Sequence, residues 1–301
     1  MNVYNNLAEL PKFQNAVLTI GSFDGVHSGH QKIIEQVRAL ARKIKGESIL
    51  ITFHPHPRLF LYPDDHSLKL LNTIDEKAQL MDYYGIDHLV VIPFTKAFSQ
   101  QSPEAYIEDF LMAKFNPAHI VIGYDHHFGL HRKGNIHLLR TYEAKGHFQI
   151  LEIEKQEVDH IAVSSSKIRQ AVQQGAVKTA AQLLGHPYSL SGTVVHGQRI
   201  GNTIGFPTAN LEHNHQHKLI PPFGIYAVQV IHQHQRYGGM LYIGDRPTLE
   251  EHTNLTIEVN IFDFNKNIYG DKLKVEFIDY IRADMRFDGL DKLALKLGRD
   301  R

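Results

Sequence analysis

Short apolar runs alternate with stretches of helical periodicity through the first half of the chain. AVLTI (16–20), ESILITF (47–53), HLVVIPF (88–94), HIVIGYD (119–125) and FQILEIE (148–154) carry few polar positions, as expected of parallel strands buried on both faces. Between the first two, Ile33, Ile34, Val37, Leu40, Ala41 and Ile44 recur on one helical face, and further helical stretches lie near 75–84, 103–112 and 136–146. This alternation predicts a doubly wound α/β sheet with right-handed crossovers. Ligands bind beyond the carboxyl ends of the strands in such sheets. GSFDGVHSGH, FHPHPR and GYDHHFG each follow a strand, so all three should meet in one cleft.

The pattern changes near residue 185. GTVVHG, GIYAVQVIH, RYGGMLYIG, NLTIEVNIFDF and KLKVEFIDYI are β-rich, several with period two, and turn residues separate them. They predict an antiparallel sheet or small barrel, followed by a helix from about Leu290 that uses Leu293, Leu295 and Leu297. Gly and Pro in GHPYS (185–189) interrupt the helical AVKTAAQLL, which divides the chain into domains 1–185 and 186–301.

Composition narrows the function classes. Lys+Arg and Asp+Glu both total 32, so the formal charge is zero, which argues against nucleic acid or a membrane surface as the main partner. Cysteine is absent, excluding a disulfide framework and thiolate chemistry. The opening residues lack a signal-peptide pattern and no apolar run is of membrane-spanning length, so a soluble cytoplasmic protein is expected. Histidine is abundant, at 21 of 301 residues. His213, His215 and His217, and His232 and His234, read as solvated loop or strand-edge residues, since no HExxH pattern accompanies them.

GSFDGVHSGHQKII (21–34) carries the first candidate chemistry. Gly21 ends a strand, and Gly25 and Gly29 allow the backbone close to a ligand. His27 and His30, three apart, fall on one side of a helix entry, beside amides and a dipole that attract anions. Two imidazoles there suit stabilisation of charge on a phosphate under attack; ordinary helix-start histidines are the bland alternative. VSSSKIRQAV (163–172) offers a second grip. One of Ser164, Ser165 and Ser166 should cap the helix, and the others, with Lys167 and Arg169, could cover the tail phosphates of a nucleotide.

An HxGH element with a later serine-containing loop resembles the nucleotidylyltransferase superfamily. The wording is similar to the N-terminal domain of the bacterial bifunctional riboflavin kinase/FAD synthetase family. That family reads GxFDGVHxGHQ, FxPHP, GxDFxFG and SSTxIR; here the order is GSFDGVHSGHQ, FHPHP, GYDHHFG and SSSKIR. The resemblance implies that ATP is held by Gly21, Phe23, Asp24, His27, Gly29 and His30, with Asp125, Ser164, Ser165, Ser166 and Arg169 completing the site. His126 and His127, Ser166 and Lys167 depart from the family pattern.

GQRIGNTIGFPTAN (197–210) is the second candidate. Gly197, Gly201 and Gly205 recur every four residues, a spacing able to wrap phosphates with backbone amides. Thr208 and Asn210 are short oxygen donors suited to Mg²⁺. No Walker-type GxxxxGK[ST] occurs. The stretch resembles the riboflavin kinase fingerprint, which continues here as GIY (224–226), GDRPT (244–248) and EVNIFDFNKNIYG (258–270). The resemblance implies ATP and Mg²⁺ binding by the three glycines, Pro207, Thr208 and Asn210. It implies flavin binding by Phe206, Tyr226, Arg282 and Phe287, and Glu258 as general base. Asn260 stands where the family commonly has His.

The resemblance implies a two-step flavin pathway using MgATP: riboflavin to FMN in the C-terminal domain, then FMN to FAD in the N-terminal one. The small-molecule partners are riboflavin, FMN and ATP. HxGH alone also fits a nucleotidylyltransferase for pantetheine phosphate or nicotinate mononucleotide, or a class I aminoacyl-tRNA synthetase. A non-catalytic flavin-binding protein is the alternative from another class. GFPTAN with Glu258 favours the kinase reading.

Overall fold

The computed structural model describes residues 1–123, 126–153, 157–158, 161–197, 205–213, 215–246, 254–285 and 289–301. Asp125, Gly201 and Phe287, all expected in a site, lie outside the described residues. Contacts divide the chain into two compact units, Met1–Ser164 and Ser165–Arg301.

The first unit is built on β1 (Asn2–Tyr4), β2 (Ala16–Ile20), β3 (Ser48–His54), β4 (His88–Pro93), β5 (Pro117–Gly123) and β6 (Gln149–Ile153). They form a parallel sheet in the order β1-β4-β3-β2-β5-β6. Five of the six were expected. The edge strand β1 was not, because three residues of sequence NVY, two of them exposed, carry no apolar run. Successive side chains of a strand point to opposite faces, and the apolar runs serve both. Ala16, Leu18, Ile20, Ile49, Ile51, Ile120 and Ile122 join one core, while Val17, Leu50, Leu89, Val91 and Val121 join the other.

Helices cover both faces. On one, α1 (Ser28–Lys43) buries Ile34, Val37 and Ala41. After the short α2 (Pro57–Leu61), α3 (Ile74–Tyr83) buries Met81 on the same side. It begins with a capping box, in which Thr73 Oγ1 accepts the Glu76 amide and the Glu76 carboxylate accepts the Thr73 amide. The other face receives Tyr106, Ile107, Phe110, Leu111 and Phe115. They come from a helical stretch that follows α4 (Lys96–Ser99) and runs through α5 (Pro103–Ala105), a π-helical Tyr106–Met112 and α6 (Ala113–Phe115). The helix α7 (Ile136–Ala144) adds Leu139 and Tyr142. Strand order reverses about β2, and open sheets of this kind take their ligands in such a crevice, here between the carboxyl ends of β2 and β5. A two-residue pairing of β7 (Glu157–Val158) with β8 (Ile161–Ala162) ends the unit.

The second unit begins with α8 (Ser165–Gln173) and α9 (Val177–Leu184). A closed antiparallel barrel follows, formed by β9 (Ser189–Val195), β10 (Ala209–Glu212), β11 (Gly224–His232), β12 (Gln235–Arg246), β13 (Asn254–Ile261) and β14 (Lys272–Arg282) in the order β10-β13-β12-β11-β14-β9. Closure removes the free edges that an open sheet would expose. Alternate residues Tyr226, Val228 and Val230 of β11 fill its core with Leu241, Ile243, Ile257, Val259, Val275 and Phe277. His232 continues that inward alternation. It is 4% exposed, and its Nε2 lies 2.7 Å from Asp271 Oδ2, so the expectation of a solvated edge residue is corrected there.

The terminal helix α10 (Leu290–Asp300) is tied to β14 by Asp300, which accepts Arg282 Nε at 2.7 Å and Lys296 Nζ at 2.8 Å. Burial alone would raise the Asp300 carboxyl, but the hydrogen bonds and charges of Lys296 and Arg282 outweigh it and hold the group below its ordinary 3.8. A lowered folded-state value means that the contribution is complete above the unfolded carboxylate range and is lost as pH falls through the folded value. Asp300→Asn should therefore cost about 1–3 kcal/mol near neutrality. The difference from wild type, measured by thermal unfolding across pH, should vanish in strong acid, and a pH-independent difference would exclude the ion pair as its source.

Candidate functional sites

In the first unit the turn between β2 and α1 is held in an unusual shape. Phe23, Gly25 and Val26 have φ of 46°, 89° and 43°. Glycine tolerates this region, but a β-branched valine there is strained by about 1–3 kcal/mol. Tertiary contacts offset the strain. Phe23 and Val26 are buried, at 2% and 0% exposed, and Gln31 Nε2 donates to the Val26 carbonyl at 2.8 Å. Gly21 stays close to this turn, since a Cβ there would lie 3.2 Å from the Phe23 ring.

Asp24 anchors the turn. Its buried carboxylate accepts the Leu71 amide at 2.9 and 3.1 Å and the Asn72 amide at 3.2 Å. Backbone acceptors are met as well: Thr52 Oγ1 donates to the Ser22 carbonyl at 3.2 Å, and Lys77 Nζ donates to it at 2.6 Å.

His27 caps α1, its Nδ1 accepting the His30 amide at 3.3 Å. The His27 and His30 rings stack with centroids 3.6 Å apart and planes 14° from parallel, and Phe23 lies 4.9 Å from the His30 ring. His30 Nδ1 is buried with no hydrogen-bond partner. Burial first, then the charges of His27 and Lys77, push the His30 imidazole well below its ordinary 6.5. A neutral ring with an unused nitrogen thus stands in the first turn of a helix, beside Gly29. At the end of β3, burial and then Lys77 lower His54. After β5, the His126 ring packs 5.7 Å from Phe128, which in turn stacks on Tyr106 at 5.0 Å. Ser164 closes the first unit, while Ser165, Ser166, Lys167 and Arg169 lie in the first turns of α8 in the second.

In the second unit, cross-strand register brings the expected residues together. Asn210 lies directly opposite Glu258 in the β10–β13 ladder, so their side chains share a face. The Thr208 hydroxyl donates to Glu258 Oε2 at 2.9 Å. Gly197 makes room for Asn210, since a Cβ at 197 would fall 2.0 Å from Asn210 Nδ2. Asn260 Nδ2 donates to the Pro207 carbonyl at 2.7 Å, which gives this departure from the family pattern a role in fixing the PTAN turn. A cleft of about 200 Å³ adjoins it, lined by Gly205, Phe206, Pro207, Asn260, Phe262 and Arg301 among others.

Of the expected flavin-contacting residues, Phe206 faces that cleft. Tyr226 is wholly buried, its hydroxyl donating to the Pro222 carbonyl at 2.7 Å. Arg282 is held by Asp300 as described above, and Tyr242, opposite Glu258 in β12, donates to Asp284 at 3.0 Å. Lys77 and Thr52 were missed in the sequence. The available signal was the position of Lys77 on the stripe Ile74, Lys77, Ala78 and Met81, where helical spacing demands burial.

The sequence model of the FAD synthetase family matches residues 10–167, and that of the riboflavin kinase family matches residues 184–301. The bifunctional riboflavin kinase/FMN adenylyltransferase of Listeria monocytogenes is 37% identical over 286 residues, covering 95% of this chain and 90% of that protein. Its counterpart in Bacillus subtilis is 36% identical over 289 residues, with the same coverage of 95% and 90%. A crystal structure from Streptococcus pneumoniae, described as a macrolide-efflux protein, superposes with a TM-score of 0.87 at 31% identity, covering 99% of this chain and 96% of that one. Among the described residues of this chain, no helix is long and apolar enough to cross a membrane. Matches of both family models in tandem, and relatives aligned along nearly the whole length, show that the chain belongs to the bifunctional riboflavin kinase/FMN adenylyltransferase family.

Proposed function

We propose how the residues divide the work of this family's two reactions, the phosphorylation of riboflavin to FMN by ATP and the adenylylation of FMN to FAD with release of pyrophosphate. Domain 186–301 performs the first and domain 1–185 the second, and the enzyme works in the cytoplasm. The observation that carries the reading is the Glu258 carboxylate, which accepts the Thr208 hydroxyl at 2.9 Å beside Asn210.

In the kinase step Glu258 acts as general base. An ionised carboxylate already accepting one hydroxyl proton is suited to take that of the ribityl 5′-hydroxyl as it attacks the γ-phosphorus of ATP. ADP then leaves. Gly197, Gly201 and Gly205 let the backbone approach the phosphates, and Phe206, Arg282 and Phe287 form the flavin side, while Tyr226, expected there as well, is packed in the barrel core. The hydroxyl of Thr208 and the amide of Asn210 are hard oxygen donors on one face of the ladder, and Gly197 keeps the space for the amide. They fit Mg²⁺, which takes few protein oxygens alongside phosphates and water. Bound there, it would neutralise phosphate charge.

In the adenylyl step the FMN phosphate attacks the α-phosphorus of ATP in line, one P–O bond forming as the bond to pyrophosphate breaks. His27, His30 and the first turn of α1 receive the developing charge. Phe23, Asp24, Gly29 and Asp125 shape the nucleotide site, and Ser164, Ser165, Ser166 and Arg169 grip the departing phosphates.

Two substitutions separate the steps, each followed by chromatography of the flavins. With riboflavin, ATP and Mg²⁺ supplied, Glu258→Gln should lower FMN formation by about 10²–10⁴-fold while leaving FMN-to-FAD conversion near normal. Loss of both activities would overturn the division of labour. With FMN supplied, His30→Ala should slow adenylylation by about 10²–10³-fold and spare the kinase. An unchanged adenylylation rate would remove His30 from the chemistry.

A further inference from the structure

Lys77 has no part in the roles assigned above, yet it is among the most constrained cations of the first unit. It is 5% exposed. Its ammonium donates to the Ser22 carbonyl at 2.6 Å and to Thr52 Oγ1 at 3.2 Å, and the Thr52 hydroxyl donates to that same carbonyl. Two elements, α3 and β3, thus converge on one carbonyl, at the residue that precedes the left-handed Phe23. Among the described residues no carboxylate forms an ion pair with Lys77. The Asp24 carboxylate acts on it only through space, which partly offsets a burial that lowers the ammonium to about 8. Burying a cation without a paired anion is costly, and a methionine would fill the same stripe of α3 without that cost.

We propose that Lys77 is a positioning residue for adenylyl transfer: its ammonium fixes the Ser22 carbonyl, and so the turn leading into His27 and His30, and sets a positive charge near His30. This deepens the adenylyltransferase reading of the first unit and rests on it. The groups facing His30 are His27 and Phe23 from the turn and Lys77 from α3. Those facing Lys77 are Ser22 and Asp24 from the turn and Thr52 and His54 from β3. A like charge disfavours protonation, so Lys77 helps keep His30 neutral, able to donate a hydrogen bond to phosphate while adding no further charge to an already cationic pocket.

The test uses the full-length chain, with kinase activity as internal control. Lys77→Met should lower kcat/KM for FMN adenylylation by about tenfold or more. It should also raise the NMR titration midpoint of His30 and leave riboflavin phosphorylation within about twofold of wild type. Thr52→Val keeps the charge and removes one hydrogen bond to the carbonyl and one from the Lys77 ammonium, which still donates to that carbonyl. It should lower adenylylation by a smaller factor and leave the His30 midpoint in place. A Lys77→Met enzyme with the wild-type rate and His30 midpoint would overturn the proposal, as would a Thr52→Val enzyme that shifts the midpoint equally. Should Lys77→Met fail to accumulate, Lys77→Arg, which keeps the charge, must preserve the midpoint, and Thr52→Val must still slow adenylylation. Failure of either refutes the proposal. Failure of wild type to make FAD would instead refute the adenylyltransferase reading itself.

Discussion

Asp24 and Lys77 fasten the β2–α1 turn to the segment that starts α3, and the first site exists only as the middle of that clamp. The Asp24 carboxylate takes the amides of Leu71 and Asn72, and Lys77 returns from α3 to take the Ser22 carbonyl. At and just beyond these two anchors the chain is driven through three left-handed residues, Phe23, Gly25 and Val26, two of them not glycine. An anion site needs backbone amides aimed at a ligand rather than at one another. Within this turn the Val26 amide donates to the Phe23 carbonyl at 3.3 Å, and buried side chains offset the remaining strain.

The second unit meets the same demand with different groups. Its PTAN turn is fixed by Asn260 at the Pro207 carbonyl, and Asn210 sits against Gly197, where any side chain would collide. Barrel register then sets Asn210 opposite Glu258. A strand ladder positions side chains to within the spacing of a residue pair, which is what the roles proposed for Glu258 and Asn210 require. In one unit the candidate groups His27 and His30 stand at a helix N-terminus, and in the other Asn210 and Glu258 face each other on a sheet.

Much of this was legible in the residues themselves. The continuous apolar runs announced parallel strands because each supplies both cores, and HxGH opens the helix that follows β2. The parts that stayed hidden have physical reasons. β1 is too short to show a pattern, and its pairing is set by the neighbouring β4. β10 begins inside PTAN, at Ala209, and its strand character comes from pairing with β9 and β13 rather than from propensity. The motif marked Asp24, but not the distant amides of Leu71 and Asn72 that its carboxylate accepts. Lys77 is the instructive case. Its place on the apolar stripe of α3 was visible, but the partners that make burial tolerable, Ser22 and Thr52, come from elements far away in sequence.

The central claim is that each half of the chain holds its own ATP. Calorimetric titration of the full-length protein with Mg²⁺ and a non-transferable ATP analogue measures this directly. Two bound nucleotides per chain are expected, with one binding event weakened by His30→Ala and the other by Thr208→Ala. A single bound nucleotide, or one event abolished by both substitutions, would contradict it.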